Sequence, residues 1–248
     1  MHSDLYEHPE LYDALLPATA HVPYYVELAR RAAGDVLELA CGTGQLTAPI
    51  AAAGLPTVGL DLSGAMLTAA RQRVAAAQVS VEFVQGDMRR FDLGRQFALV
   101  FIARNSLLHL HSTEDLLAAC AAVRRHLAPG GIFAFDIFNP DVRLLARPAG
   151  QRFRVFETET ESFGKLSVEA TTEYDAATQV GRSRWYISAA GKPDAWVAPL
   201  ELRNIFPQEL PLLLTAGGFQ LKSRMGDLNQ TPFDSNSRLQ VCLCRASV

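Results

Sequence analysis

The stretch Asp35–Gln45, DVLELACGTGQ, constrains the fold more than any other part of the chain. Val36, Leu37 and Leu39 form a short apolar run suited to a buried parallel strand. The run ends in Ala40-Cys41-Gly42-Thr43-Gly44, where two glycines permit a tight turn and let a ligand approach the backbone. Residues 45–53 then read as a helix whose first N–H groups and partial positive charge point back into the turn. Strand, glycine turn and helix make a nucleotide-binding corner. Such a corner belongs in an α/β fold with a doubly wound, mostly parallel sheet.

The type of nucleotide follows from two departures. A dinucleotide fingerprint needs a third glycine, where this chain has Thr47, and Glu38 inside the strand is foreign to that pattern. Glu38-Leu39-Ala40-Cys41-Gly42-Thr43-Gly44 instead resembles motif I of the class I S-adenosylmethionine (SAM)-dependent methyltransferases, small-molecule type. The chain continues in the same sense. The strand 56–61 ends in Asp61, 17 residues after Gly44, where a carboxylate can accept both hydroxyls of a ribose. Ser63 caps a helix over 64–77, and a third strand over 79–84 leads into Gln85-Gly86-Asp87-Met88, similar to the family's adenine-reading segment. Leu127-Ala128-Pro129-Gly130-Gly131 before the strand 132–138 and Gly217-Gly218-Phe219 before a late strand are further likenesses.

The continuous apolar run Phe97–Ile102 reads as a central strand covered on both faces. Its exit, Ala103-Arg104-Asn105-Ser106-Leu107-Leu108-His109, lies where ligands collect in open α/β sheets. Asn105 and His109 are polar groups in an apolar loop. His109 either holds the loop or contacts the methyl acceptor, where it is the first choice of proton acceptor. Beyond Asn139 the helix–strand alternation stops. Residues 152–206, rich in Thr, Val and aromatics with turn signals at Phe163-Gly164, Asp175-Ala176 and Gly191-Lys192-Pro193, read as three to four antiparallel strands.

The resemblance implies a seven-stranded sheet of order 3-2-1-4-5-7-6, with the inserted antiparallel sheet after strand 5. It implies an N-terminal helical lid (1–34), a SAM-binding domain (35–150 and 207–248) and an acceptor-pocket subdomain (151–206). Cofactor contacts are then expected from Glu38, Ala40, Gly42, Gly44, Asp61, Leu62, Met66, Gly86, Asp87, Met88, Ala103 and Asn105. Acceptor contacts are expected from Tyr6, Arg104, His109, Trp185, Trp196 and Arg203, with Tyr186 a further candidate, and His109 and Tyr12 are the candidate catalytic groups. For Tyr6, Tyr12 and the tryptophans, plain core packing is the competing reading.

Composition bounds the rest. A net charge of -3 excludes general affinity for nucleic acid. Cys41, Cys120, Cys242 and Cys244 lack zinc-ligand spacing, and neither His nor acidic residues suggest a metal. No segment reaches the roughly 18 apolar residues of a membrane span, and the N-terminus is no signal peptide, so a soluble, cytoplasmic protein is expected. A homodimer is allowed. The function expected is methyl transfer from SAM, yielding S-adenosylhomocysteine, to N or O of a small molecule, driven mainly by proximity and orientation. Two alternatives stand beside it: a SAM-binding partner or regulatory protein without transfer activity, and, less well supported, an NAD(P)-dependent oxidoreductase.

Overall fold

A computed structural model describes residues 4–189 and 191–247. The chain divides into two compact units, one of 18–139 with 205–247, the other of 4–17 with 140–204. The expected N-terminal segment 1–34 is therefore shared between them.

The larger unit holds a seven-stranded sheet. Its strands are β1 (Val36–Leu39), β2 (Thr57–Asp61), β3 (Glu82–Gln85), β4 (Phe97–Ile102), β5 (Leu127–Phe138), β10 (Phe219–Met225) and β11 (Leu239–Ala246). Their order is β10-β11-β5-β4-β1-β2-β3, the order read from the sequence once β11 and β10 are counted seventh and sixth. β1 pairs in parallel with β2 and β4, β4 with β5, and β2 with β3, whereas β11 runs antiparallel to both neighbours. Chain order reverses between β1 and β4, so the switch point lies just beyond their C-terminal ends.

The apolar alternation decides which helices cover which face. Val36 of β1, Leu99 and Phe101 of β4 and Ala134 of β5 point to one face, where Tyr25, Leu28 and Ala29 of α2 (Val22–Ala32) and Ile50 of α3 (Thr47–Ala52) bury them. Tyr25 stacks on Phe101 at 4.6 Å between ring centroids. A left-handed Ala33 closes α2, the conformation common at helix C-termini. α4 (Gly64–Ala76) follows β2 and is capped by Ser63, whose Oγ accepts from Met66 N at 3.2 Å. α5 (Thr113–His126) and α7 (Leu210–Ala216) pack on the sheet as well. α3 is assigned from Thr47, two residues later than the helix expected over 45–53, although Ala48 N already donates to Gly44 O at 3.0 Å; the Gln45 side chain reaches away, its Oε1 accepting from Ala18 N at 2.6 Å.

The smaller unit is an antiparallel meander of β6 (Phe153–Thr160), β7 (Gly164–Asp175), β8 (Val180–Ala189) and β9 (Lys192–Arg203), with the short helix α6 (Val142–Leu145) before it. The expected turn signals fall between these strands. Leu166 and Val168 of β7, Ile187 of β8 and Ala198 of β9 make one apolar face, and α1 (Pro9–Leu15) covers it with Leu11 and Leu15. Among the described residues no helix is long and apolar enough to cross a membrane.

Phe101, fully buried between α2 and the central strands, tests this core. Phe101→Ala will lower stability by about 3–5 kcal/mol, read as a fall in the urea midpoint with an unchanged slope.

Candidate active site

The glycine corner is built from a run of left-handed residues. Ala40 (φ 55°), Gly42 (54°) and Gly44 (74°) turn the chain sharply after β1. A Cβ placed on Gly42 would meet nothing within 4 Å, so the glycine serves its backbone angle and leaves the turn bare to an incoming group. At Gly44 a Cβ would lie 3.3 Å from the Ala70 Cβ of α4, so there the glycine also lets the turn pack closely.

Asp61 ends β2 beside this turn. Its Oδ2 accepts from Gly42 N at 2.7 Å and its Oδ1 from Ser63 N at 2.8 Å, and Leu62 N also hydrogen-bonds to the carboxylate, which fixes it across the turn. Burial raises its pKa, opposed by these backbone donors. Leu62 next to it is 68% exposed, a large apolar side chain held at the strand tip, whereas Met66 is buried in the core. Gly86 N donates to Asp61 O at 2.9 Å, tying the tips of β2 and β3 together. Asp87 follows, with Met88 half-buried beside it. Arg89 grips the Asp87 carboxylate with Nε at 3.0 Å and Nη2 at 2.7 Å, and reaches Asp115 with Nη1 at 2.8 Å. This grip holds the Asp87 carboxyl below its usual range.

On the other side of the switch point, Arg104 (φ 58°) and Asn105 (φ 67°) are consecutive left-handed residues directly after β4 and the buried Ala103. Two such non-glycine residues in a row are strained, and the strain is held by β5. Arg104 N donates to Asp136 Oδ2 at 3.0 Å, Asn105 N to Asp136 O at 3.1 Å, and Phe138 N to Asn105 Oδ1 at 2.6 Å. Asn105 thus spends its carbonyl on stitching loop to strand. Asp136 itself is buried, with Tyr25 Oη donating to its Oδ1 at 2.6 Å and His21 Nε2 lying 3.3 Å from its Oδ2. His109 closes the one-turn helix Ser106–His109 and is half-buried.

Three comparisons bear on this corner. The family model described as a methyltransferase domain matches residues 36–131. These residues are similar to a methyltransferase domain. The chain is 36% identical over 135 residues to the putative methyltransferase YqeM of Bacillus subtilis, covering 52% of this chain and 53% of that protein. It is 43% identical over 104 residues to a Streptomyces venezuelae dTDP-3-amino-3,4,6-trideoxy-alpha-D-glucopyranose N,N-dimethyltransferase, 42% of each chain. The chain thus spans about half the length of the curated relatives it matches. Among solved structures it is similar to the CcbJ methyltransferase from Streptomyces caelestis, with a TM-score of 0.81 and 28% identity over 94% of this chain and 91% of that one.

Within residues 36–131, Glu38 and Thr47 form a pair that the sequence did not foretell. Glu38 is 3% exposed on the helix-covered face of β1, and the Thr47 hydroxyl donates to its Oε2. The position where a dinucleotide site would carry its third glycine is therefore used to satisfy a buried carboxyl. Burial pushes Glu38 up to about 8, against the Thr47 hydrogen bond and the Arg104 charge, which lower it. His21, Tyr25, Gln45 and Asp136 were also not singled out as site residues. A signal for Asp136 was present: Ile132, Ala134 and Asp136 alternate onto the face that α2 covers, so an acid there needs donors from α2.

In the smaller unit, the Tyr6 and Tyr12 rings lie 5.8 Å apart, and Tyr12, Trp185 and Trp196 pack against the apolar face under α1. Those four candidates are brought together. Arg203 is buried at the end of β9, and Tyr186 lies on the opposite face from Trp185, under the Arg152 guanidinium at 3.5 Å from the ring centre. Among the described residues no group of three or more His, Cys, Asp or Glu is placed to hold a metal ion.

The raised Glu38 carboxyl has a stability consequence. The folded protein holds that proton more tightly than the unfolded chain, so its stabilising share is full below pH 4.5 and is lost as pH rises towards about 8. The slope for one such group is about 1.4 kcal/mol per pH unit at most. Glu38→Gln removes it, and urea unfolding at pH 5.5 and 8.0 will show stability falling less with pH in the variant than in the parent.

Proposed function

We propose that the chain is a SAM-dependent methyltransferase that transfers a methyl group to nitrogen or oxygen of a small-molecule acceptor. The observation that carries this reading is the corner itself, where an open glycine turn faces a carboxylate already oriented by Gly42 N and Ser63 N. Such a carboxylate can take both hydroxyls of a ribose without further movement. An amine acceptor is favoured, because the Streptomyces venezuelae relative is named for transfer to an amino sugar.

The residues present fit the cofactor. Asp61 would accept from the ribose, the exposed Leu62 would lie against the adenine, and Asp87 with the Met88 N–H would read the adenine edge. Arg89 keeps Asp87 ionised and fixed, while a carboxylate offers enough acceptor positions to take one donor more. Bound there, SAM supplies a methyl carbon on a positively charged sulfur, open to in-line displacement. The chain's own contribution is orientation and exclusion of water, worth up to roughly 7–11 kcal/mol in favourable cases. An amine must reach the methyl carbon without its extra proton, and His109 is the residue assigned to take that proton. The unit of 4–17 and 140–204 is assigned to the acceptor, with Tyr6, Tyr12, Trp185 and Trp196 supplying ring surface.

Calorimetric titration tests the reading. S-adenosylhomocysteine and SAM will bind with micromolar affinity, and Asp61→Ala will weaken both by at least about tenfold. NAD(H) will not bind. Incubation with SAM and a panel of sugar amines, simple amines and phenols will give a 14 Da mass gain on an amine. A folded protein that binds NAD(H), or neither SAM nor its product, overturns the proposal.

A further inference from the structure

The segment before α2 reaches over the switch point. Ala18 N donates to Gln45 in the glycine turn after β1, and three residues on, His21 meets Asp136 at the end of β5. Between those anchors lie the ends of β1, β4 and β5. The nucleoside-binding candidates, Asp61 and Asp87, lie on the opposite side of β1, at the tips of β2 and β3. Strands stand about 4.8 Å apart. A ligand whose nucleoside is held at β2 and β3 must therefore carry the rest of its atoms across the Gly42–Gly44 turn towards β4, beneath residues 18–25.

His21 is surplus to the fold at this place. It occupies the N-cap position of α2 but makes no side-chain cap there. Asp136 does not need it, because Tyr25 Oη and Arg104 N already donate to that carboxylate. The imidazole is only 20% exposed, and its one side-chain partner among the described residues is Asp136, through Nε2. Asp136 thus orients the ring and backs any positive charge on it, leaving Nδ1 to meet a ligand. The carboxyl side of the turn, Glu38 and Asp61, suits the cationic parts of a zwitterionic tail, and the His21 side suits its carboxylate.

We propose that His21, oriented by Asp136, binds the carboxylate of the amino-acid end of the cofactor. This inference rests on the methyltransferase reading and adds a site residue to it. His21 acts as an imidazolium, with Nδ1–H donating to the ligand carboxylate and Nε2–H to Asp136 Oδ2; Asp136 is the positioning residue, held in place by Tyr25 Oη and Arg104 N.

The test compares two ligands that share the nucleoside and differ in the tail: S-adenosylhomocysteine and 5′-methylthioadenosine, which lacks the amino-acid end. Calorimetry is run on the full chain, on His21→Ala and on His21→Gln, with thermal unfolding as the check on folding. In His21→Ala the homocysteine compound will bind about tenfold or more weakly while the methylthio compound changes less than about twofold. His21→Gln, which keeps a donor on a shorter side chain, will lose less. Equal losses for the two ligands would make His21 a structural prop and overturn the proposal, as would no loss for either. A parent chain that binds neither compound overturns the methyltransferase reading, and this inference with it. A parent that binds both, with His21→Ala weakening the two equally or not at all, overturns this inference alone.

Discussion

Carboxylates inside or at the ends of parallel strands must be hydrogen-bonded, and the loops of this site are shaped by that requirement. Glu38 in β1, Asp61 at the end of β2 and Asp136 in β5 are all largely withdrawn from water. An unpaired carboxyl there would cost several kcal/mol. Each recruits its donors from a different connection: Thr47 from α3, Gly42 and Ser63 from the two turns, Tyr25 and Arg104 from α2 and the loop after β4. The bonds that satisfy the acids are thus also the bonds that set the turns. This explains how left-handed Ala40, Arg104 and Asn105 persist without glycine.

The same three acids divide the switch point electrically. Glu38, pushed up to about 8 by burial, sits beneath the turn bonded to the Thr47 hydroxyl. Asp61 is held by backbone donors from both turns. Asp136 is fully engaged by protein donors and works through them. One chemical type in three settings takes three different sets of partners, because burial and neighbours differ at each.

Legibility in the sequence followed from how local each signal was. Strand order, the glycine corner, Asp61 and the four-stranded insertion rest on short runs, on turn residues such as Phe163-Gly164 and on fixed offsets along the chain. The Glu38–Thr47 bond was within reach, since both residues lie in one strand–turn–helix unit, yet Thr47 entered the reading only as a missing glycine. The His21, Tyr25 and Asp136 cluster joins residues more than a hundred positions apart, and no spacing rule connects them. The helix after the glycine turn starts at Thr47 rather than Gln45, a difference of the size helix ends commonly show, since Ala48 N already bonds Gly44 O. Trp185 and Tyr186 divided by strand alternation, one onto the covered face and one against Arg152, which composition alone could not decide.

The smaller unit closes its apolar face with α1, a helix encoded at the far end of the chain from the strands it covers. During synthesis, at roughly 5–20 residues per second, Leu11 and Leu15 therefore wait on the order of ten seconds for β6 to β9. A seven-residue helix has little stability of its own over that interval. The larger unit can pair its first five strands meanwhile, but β10 and β11 are made only after the meander, so the seven-stranded sheet is completed last. The same arrangement sets the grain of recombination among such chains. A transplanted 140–204 would arrive with its inner face bare, and only an exchange that carries residues 4–17 as well delivers a finished core.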